Sequence, residues 1–201
     1  MKHPHRVVLL AGPSGSGKSY VAQRTGLPVL CLDDFYKDGD DPTLPRQNGA
    51  VDWESPRSWD AMAAVETIAR LAREGRADVP VYAIDEDRRV TTRPFDVADS
   101  PLFVAEGIFA AEIVEECRRR GVLAGAYALR RPRGATFVRR LARDLAEQRK
   151  APRVLVRRGL ALLRAEPAVL RRQTGLGAEA ARAGEVLRGV AGLLAGHPHR
   201  S

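Results

Sequence analysis

Gly12-Pro13-Ser14-Gly15-Ser16-Gly17-Lys18-Ser19 follows directly on the apolar run Arg6-Val7-Val8-Leu9-Leu10-Ala11. The pattern is G-x-x-x-x-G-K-S placed after a strand-like segment, which is the phosphate-binding P-loop in its required context. Glycines let the chain curl until successive backbone N–H groups face an anion. A helix opening near Ser19 adds its positive end. Lys18 reaches the outer phosphates, and the Ser19 hydroxyl is a ligand for Mg²⁺. The nucleotide-binding set is therefore Gly12, Ser14, Gly15, Ser16, Gly17, Lys18, Ser19 and Tyr20. A ligand-free Gly/Ser turn is the competing reading, and the flanking strand and Lys-Ser pair argue against it.

Composition narrows the function further. The chain has 201 residues and a net charge of +8. Lys2, Lys18, Lys37 and Lys150 are the only lysines, so nearly all the positive charge is arginine. Arg118–Arg120 and the span from Arg130 to Arg172 are arginine-dense but hold a single interleaved aromatic, Phe137, and aromatics make up 5% of the chain. Single-stranded nucleic acid needs aromatic stacking platforms, so the charge argues only weakly for such a partner. His3, His5, His197 and His199 are the only histidines, all at the ends, where frayed tails are the expected state. A Ser-His-Asp mechanism or a His-based zinc site in the interior is thereby excluded. Cys31 and Cys117 are expected to be reduced thiols. No apolar run approaches the ~20 residues of a membrane span, so a cytoplasmic protein without a membrane partner is expected. Homo-oligomerisation is left open.

Apolar runs alternate with helical patterns along the chain. Strands are expected at Val7–Ala11, Pro28–Leu32, Leu102–Ala105 and Val122–Leu129, with a further one around Ala168–Arg172. Tyr20–Arg24, Trp59–Glu74, Ala111–Arg120, Thr136–Lys150 and Ala178–Leu194 have helical spacing, and Gly75 and Gly121 end two of them. Asp38–Gly49 reads as an exposed loop. Val79–Ile84 and Arg89–Thr92 form a hairpin across Asp85-Glu86-Asp87. Non-alternating strands between helices predict a three-layer α/β domain with a mainly parallel sheet. The whole chain reads as one domain, with an acceptor-side insert at about 38–95 and a lid helix at about 133–150. In such sheets ligands bind at the carboxyl ends of the strands. Gly12–Ser19, Asp33-Asp34 and Glu106 should therefore converge.

Phosphoryl transfer from ATP needs Mg²⁺, neutralisation of charge, and a group to orient or deprotonate the accepting hydroxyl. Ser19 with an acid at a neighbouring strand end suits Mg²⁺, which keeps several of its waters. Either Glu106 or Asp33 can be that acid, leaving the other as base. A helix N-cap is the alternative role for Asp33-Asp34. Trp53 and Trp59 are read as packing residues.

Further stretches carry a resemblance. Asp33-Asp34-Phe35-Tyr36-Lys37, Asp52-Trp53-Glu54-Ser55-Pro56, Pro80-Val81-Tyr82, Glu106-Gly107-Ile108 and Arg139-Arg140-Leu141-Ala142-Arg143-Asp144 follow the P-loop in the order found in uridine kinases. The resemblance, to the phosphoribulokinase/uridine kinase family of P-loop kinases, spans about residues 6–150. It implies that Asp33 is the base toward a ribose 5′-hydroxyl and that Glu54 holds the ribose diol. It also implies that Tyr82 packs on the nucleobase, that Glu106 helps hold Mg²⁺, and that Arg139, Arg140 and Arg143 close over the phosphates. Arg139 and Arg143 share a helix face, and their guanidinium forks suit a transferring phosphoryl group. Lys18, Asp33, Arg139 and Arg143 thus form the catalytic set. Tyr36, as a pocket wall, and Arg88 complete the acceptor side.

Departures from the family pattern concentrate at the acceptor. Ser55 replaces a His, Asp85-Glu86-Asp87-Arg88 lacks a His expected near the base, and Thr136 replaces an Arg. No match extends beyond Lys150. The acidic set Asp33, Glu54 and Asp85–Asp87 suits a neutral, hydroxyl-rich acceptor. It repels a phosphorylated one unless Arg57, Arg88 or Arg93 turns inward. The expected activity is ATP- and Mg²⁺-dependent phosphorylation of a small alcohol, foremost the 5′-hydroxyl of a pyrimidine nucleoside. A P-loop kinase of another hydroxylated metabolite such as pantothenate is the first alternative. A nucleic-acid-stimulated P-loop ATPase is the second.

Overall fold

The computed structural model describes residues 4–130 and 167–196. The strands are β1 (Arg6–Ala11), β2 (Val29–Cys31), β3 (Arg46–Gln47), β4 (Ala50–Val51), β5 (Arg76–Ala83), β6 (Arg88–Asp96), β7 (Leu102–Glu106), β8 (Leu123–Leu129) and β9 (Glu179–Ala181). The helices are α1 (Lys18–Gln23), α2 (Ala61–Glu74), α3 (Val114–Arg119), α4 (167–175) and α5 (Ala183–Ala195). Five strands form one sheet in the order β2-β7-β1-β8-β9, every pair parallel.

Alternation along β1 explains the three layers. Val7, Leu9 and Ala11 enter one core with α2, α3 and Phe103, whereas Val8 and Leu10 enter a second core with α1 and α5. Period-2 side chains on a strand must feed opposite faces. Both faces of β1 are apolar because both are covered. All five residues of β7 are buried for the same reason.

Capping sets the limits of α2. The Asp60 side chain accepts from the Ala63 N–H at 3.0 Å, and Gly75 closes the helix at φ 75°, a conformation that favours glycine. The β5–β6 hairpin forms around Asp85–Asp87 as expected and extends farther from the turn, to Arg76 and Asp96. Within the expected loop Asp38–Gly49, Arg46–Gln47 begins a two-stranded ribbon with Ala50–Val51. Ala111–Arg120 begins instead as a 3₁₀ turn, Ala110–Ile113, before α3.

Two expectations near the end are corrected. Residues 168–172 lie in helix α4 and are not a strand. Ala, Leu and Arg are strong helix formers, and burial of Leu170, Gln173 and Leu176 recurs every third residue. The last strand is β9, which falls inside the helix expected at 178–194. Its three residues are too few to carry a hydrophobic signature, and pairing with Tyr127–Leu129 defines it. His5 is also anchored, not frayed: its Nδ1 lies 2.8 Å from the Ser100 carbonyl. The lid helix expected at 133–150 lies outside the described residues.

Candidate active site

Register brings the site together. Cys31 and Leu10 stand level with Glu106 on either side of it. The chain leaving each of these strands at its carboxyl end therefore enters one crevice. β1 supplies Gly12–Ser19, β2 supplies Asp33-Asp34, and β7 supplies Glu106-Gly107.

The phosphate loop has the backbone its glycines permit. Gly15 and Gly17 have φ of 78° and 86°. A Cβ on Gly12 would meet Ser16 Oγ at 3.0 Å and the Leu129 carbonyl at 3.2 Å, so the loop closes only around a glycine. Ser16 is fully buried, Ser14 half-buried and Ser19 exposed. Lys18 is buried, with its ammonium 3.5 Å from the Pro13 carbonyl across the loop. Tyr20 lies on the outer side of α1, 52% exposed, with the Arg24 guanidinium over its ring.

Ser19 Oγ donates to Glu106 Oε1 at 2.6 Å. Burial raises the Glu106 carboxyl above its ordinary range; Lys18 and the Ser19 bond oppose this, and Asp33 adds to it. Asp33 is exposed on the 3₁₀ turn Leu32–Phe35. A Cβ on Gly107 would lie 3.1 Å from Asp33 Oδ1, which fixes how closely the two strand ends approach. A buried carboxylate, a hydroxyl and a second carboxylate thus face one another beside an ammonium. This hard-oxygen set fits Mg²⁺, which takes one or two carboxylates and completes its shell with water and phosphate. Among the described residues no group of three His, Cys, Asp or Glu is set to hold a metal by itself.

The Asp33 turn is tied down from several sides. The Trp59 indole donates to the Leu32 carbonyl at 2.7 Å, and the Asp60 N–H donates to the Phe35 carbonyl at 3.0 Å. The Tyr82 N–H donates to Asp34 Oδ1 at 3.4 Å, joining the hairpin to the turn. Trp59 is 3% exposed, a packing residue as expected.

Tyr36 is the hub of the acceptor side. Its ring centroid lies 5.8 Å from Trp53, 5.9 Å from Tyr82 and 6.0 Å from Phe109. Its hydroxyl donates to the Trp53 carbonyl at 3.3 Å. Burial, with Asp33 and then Glu54 nearby, pushes the Tyr36 phenol well above its usual range. Glu54 is exposed at the rim. The Tyr82 hydroxyl donates to the Lys37 carbonyl at 3.2 Å, and burial, then Asp87 and Asp38, push that phenol up to about 12.

Arginines divide between this wall and solvent. Arg88 is exposed on the hairpin and paired with Glu86 at 2.6 Å. Arg93 is exposed, with its charge acting on Asp34. Arg89 was not singled out from sequence, yet it bonds the Tyr36 carbonyl at 3.2 Å and Asp60 at 3.3 Å. Only alternation along β6 distinguishes it from Arg88. Phe109 was also missed; its one signal is its place three residues after Glu106. Arg139, Arg140 and Arg143 lie outside the described residues.

Parallel sheet, phosphate loop and the Ser19–Glu106 pair together define a P-loop nucleotide-binding protein. No protein-family model matches the chain. A uridine kinase of Deinococcus deserti is 30% identical over 169 residues, covering 79% of this chain and 77% of that protein. A uridine kinase of Schizosaccharomyces pombe is 34% identical over 115 residues, covering 52% of this chain and a quarter (25%) of that longer protein. The chain belongs to the uridine kinase family. Solved structures agree on the fold. A protein assigned as a fructose transport system kinase, from Silicibacter sp. TM1040, superposes with TM-score 0.62 at 19% identity, covering 84% of this chain and 85% of that one. YFH7 of Saccharomyces cerevisiae, assigned as a circularly permuted P-loop kinase, superposes with TM-score 0.59 at 11% identity, covering 90% and 93%. No helix among the described residues is long and apolar enough to cross a membrane.

Proposed function

We propose that this protein transfers the γ-phosphoryl group of ATP to the 5′-hydroxyl of a pyrimidine nucleoside. The observation carrying the reading is the convergence of Ser19, Glu106 and Asp33 at one edge of the sheet, beside an aromatic wall. Membership of the uridine kinase family supports the nucleoside.

Backbone N–H groups of Gly12–Ser19 hold the phosphates, and Lys18 offsets charge on the outer ones. Ser19 and Glu106 would hold Mg²⁺. When bound, the ion neutralises charge on the β- and γ-phosphoryl oxygens. Asp33 orients the accepting hydroxyl and takes its proton as the new O–P bond forms. Tyr36, Trp53 and Tyr82 form the wall against which a flat base packs, backed by the buried Phe109, and Glu54 at the rim accepts from sugar hydroxyls. Arg139 and Arg143, in the lid segment, act on the phosphate side. Residues 38–95 serve as the acceptor-side insert of a single domain. The cytoplasm is the compartment where ATP is supplied to such a reaction.

The test is ATP consumption with Mg²⁺ against a panel of nucleosides and hydroxylated metabolites, with Asp33→Asn in parallel. The expected result is uridine- or cytidine-dependent ADP release, reduced about 10²- to 10⁴-fold in the variant. Turnover with another alcohol alone would keep the kinase and replace the acceptor. The hairpin turn without histidine favours that second reading. Undiminished turnover by the variant would remove Asp33 from its role.

A further inference from the structure

Gln173 is a polar side chain in a dry place. It sits on α4, 3% exposed, between the inward-facing Leu170 and Leu176. Its Nε2 donates to the Ile108 carbonyl at 3.0 Å. A carbonyl can only accept, so the amide must turn its NH₂ end toward Ile108. That orientation leaves Oε1 buried with no hydrogen-bond partner among the described residues. For packing alone an apolar side chain would serve better, because a half-satisfied buried amide is a net liability. The bond to Ile108 therefore calls for an explanation beyond packing.

Ile108 lies two residues after Glu106. Gly107, between them, lies against Leu32 and Asp33, and Phe109 lies 6.0 Å from the Tyr36 ring. A second link holds α4 to the same stretch: Arg172 Nε and Nη2 meet the two Glu112 oxygens at 3.0 Å each. Buried Gln173 bonds the backbone beside the strand end, whereas the exposed Arg172–Glu112 pair grips the stretch farther along.

We propose that Gln173 is a positioning residue that fixes the Gly107–Phe109 backbone and so sets the spacing between Glu106 and Asp33. It touches neither nucleotide nor acceptor and acts through the carbonyl it holds. The inference rests on the kinase reading for the roles of the two carboxylates.

The experiment compares ADP binding by calorimetry with and without Mg²⁺, no acceptor present, in full-length wild type, Gln173→Met and Arg172→Gln. Methionine keeps size and apolar contacts but removes the donor. Gln173→Met should lose about three- to tenfold of the Mg²⁺-dependent gain in ADP affinity, at or below the lower edge of what supporting contacts of a metal site contribute, because Gln173 acts through the backbone and not on a ligand directly. Its metal-free ADP affinity should equal that of wild type. Arg172→Gln should lower the melting temperature slightly and leave the Mg²⁺ gain intact. A Gln173→Met protein with the full Mg²⁺ gain, whatever its melting temperature, overturns the proposal. If that variant does not fold, Gln173→Asn, which keeps the amide but shortens its reach, must show the same loss, and wild-type behaviour overturns the inference equally. Failure of the nucleoside reading leaves these outcomes untouched. Absence of any Mg²⁺ gain in wild type would overturn the kinase reading and this inference together.

Discussion

Cys31 shows how one residue reports on the whole site. Burial is the largest cause pushing its thiol up to about 12, and Asp33, Asp34 and Glu106 push in the same direction. A thiol with that value is about one part in ten thousand thiolate at pH 8, against about a quarter for an ordinary cysteine. Only the thiolate is the nucleophile. Cys117 is fully buried and is likewise pushed up to about 12. Native protein at pH 8 should therefore react only slowly with a thiol reagent at either position, and denatured protein should yield two fast equivalents. One fast equivalent in the native state would contradict the crowding of carboxylates around Cys31. From sequence, Cys31 is legible only as a reduced thiol, because its burial, the largest cause, is set by the fold, although Asp33 and Asp34 stand close by in the chain.

Between elements, a close approach at the site falls at Gly107. A Cβ there would come within 2.8 Å of Leu32 Cβ and 3.1 Å of Asp33 Oδ1. Leu32 Cβ is fixed by its own backbone and cannot swing aside. Gly107→Ala must therefore separate β7 from the Asp33 turn. The expected loss is about 1–3 kcal/mol of stability, as for other overpacked sites. Turnover should fall about 10- to 100-fold, because displacing a reacting group by ~1 Å has effects of that order. Chemical denaturation and the ATP assay measure the two effects separately. Wild-type turnover would show that Asp33 is not positioned through this contact. Glycine at 107 was visible in the sequence as part of the Glu106-Gly107-Ile108 match, but its reason is a contact across two strands.

For the whole molecule, the buried carboxylate couples metal, pH and stability. Glu106 is 7% exposed, and burial raises its pKa in the fold above the unfolded value. The folded protein thus favours the protonated form. The charged form opposes folding above the raised pKa, and this penalty fades as pH falls through it. Glu106→Gln should melt higher than wild type at pH 7–8 without metal, and the difference should shrink toward acid. Adding Mg²⁺ with ADP should reverse the order. Wild type gains by mass action, and the variant has lost a group of the metal site. Thermal melts across pH, with and without Mg²⁺ and ADP, measure both. A variant that melts lower than wild type without metal would show that the bonds from Ser19 and the charge of Lys18 outweigh desolvation.

The sequence by itself determined the local grammar of this protein. Gly12–Ser19 after Val7–Ala11 specified a phosphate loop, because glycine spacing and an apolar strand are short-range properties. Alternating strand and helix patterns then implied a covered parallel sheet, and acids after strands marked its ligand edge. What tertiary structure decided depends on contacts between distant residues. Register set Cys31, Leu10 and Glu106 level, and so gave Ser19 a carboxylate partner 87 positions away. Packing selected Arg89 over Arg88 and brought Phe109 to Tyr36. Pairing with β8 made a strand of Glu-Ala-Ala at 179–181, and core contacts made a helix of 168–172. Short segments carry too little hydrophobic area to declare their state, so the neighbours they meet in the fold decide it.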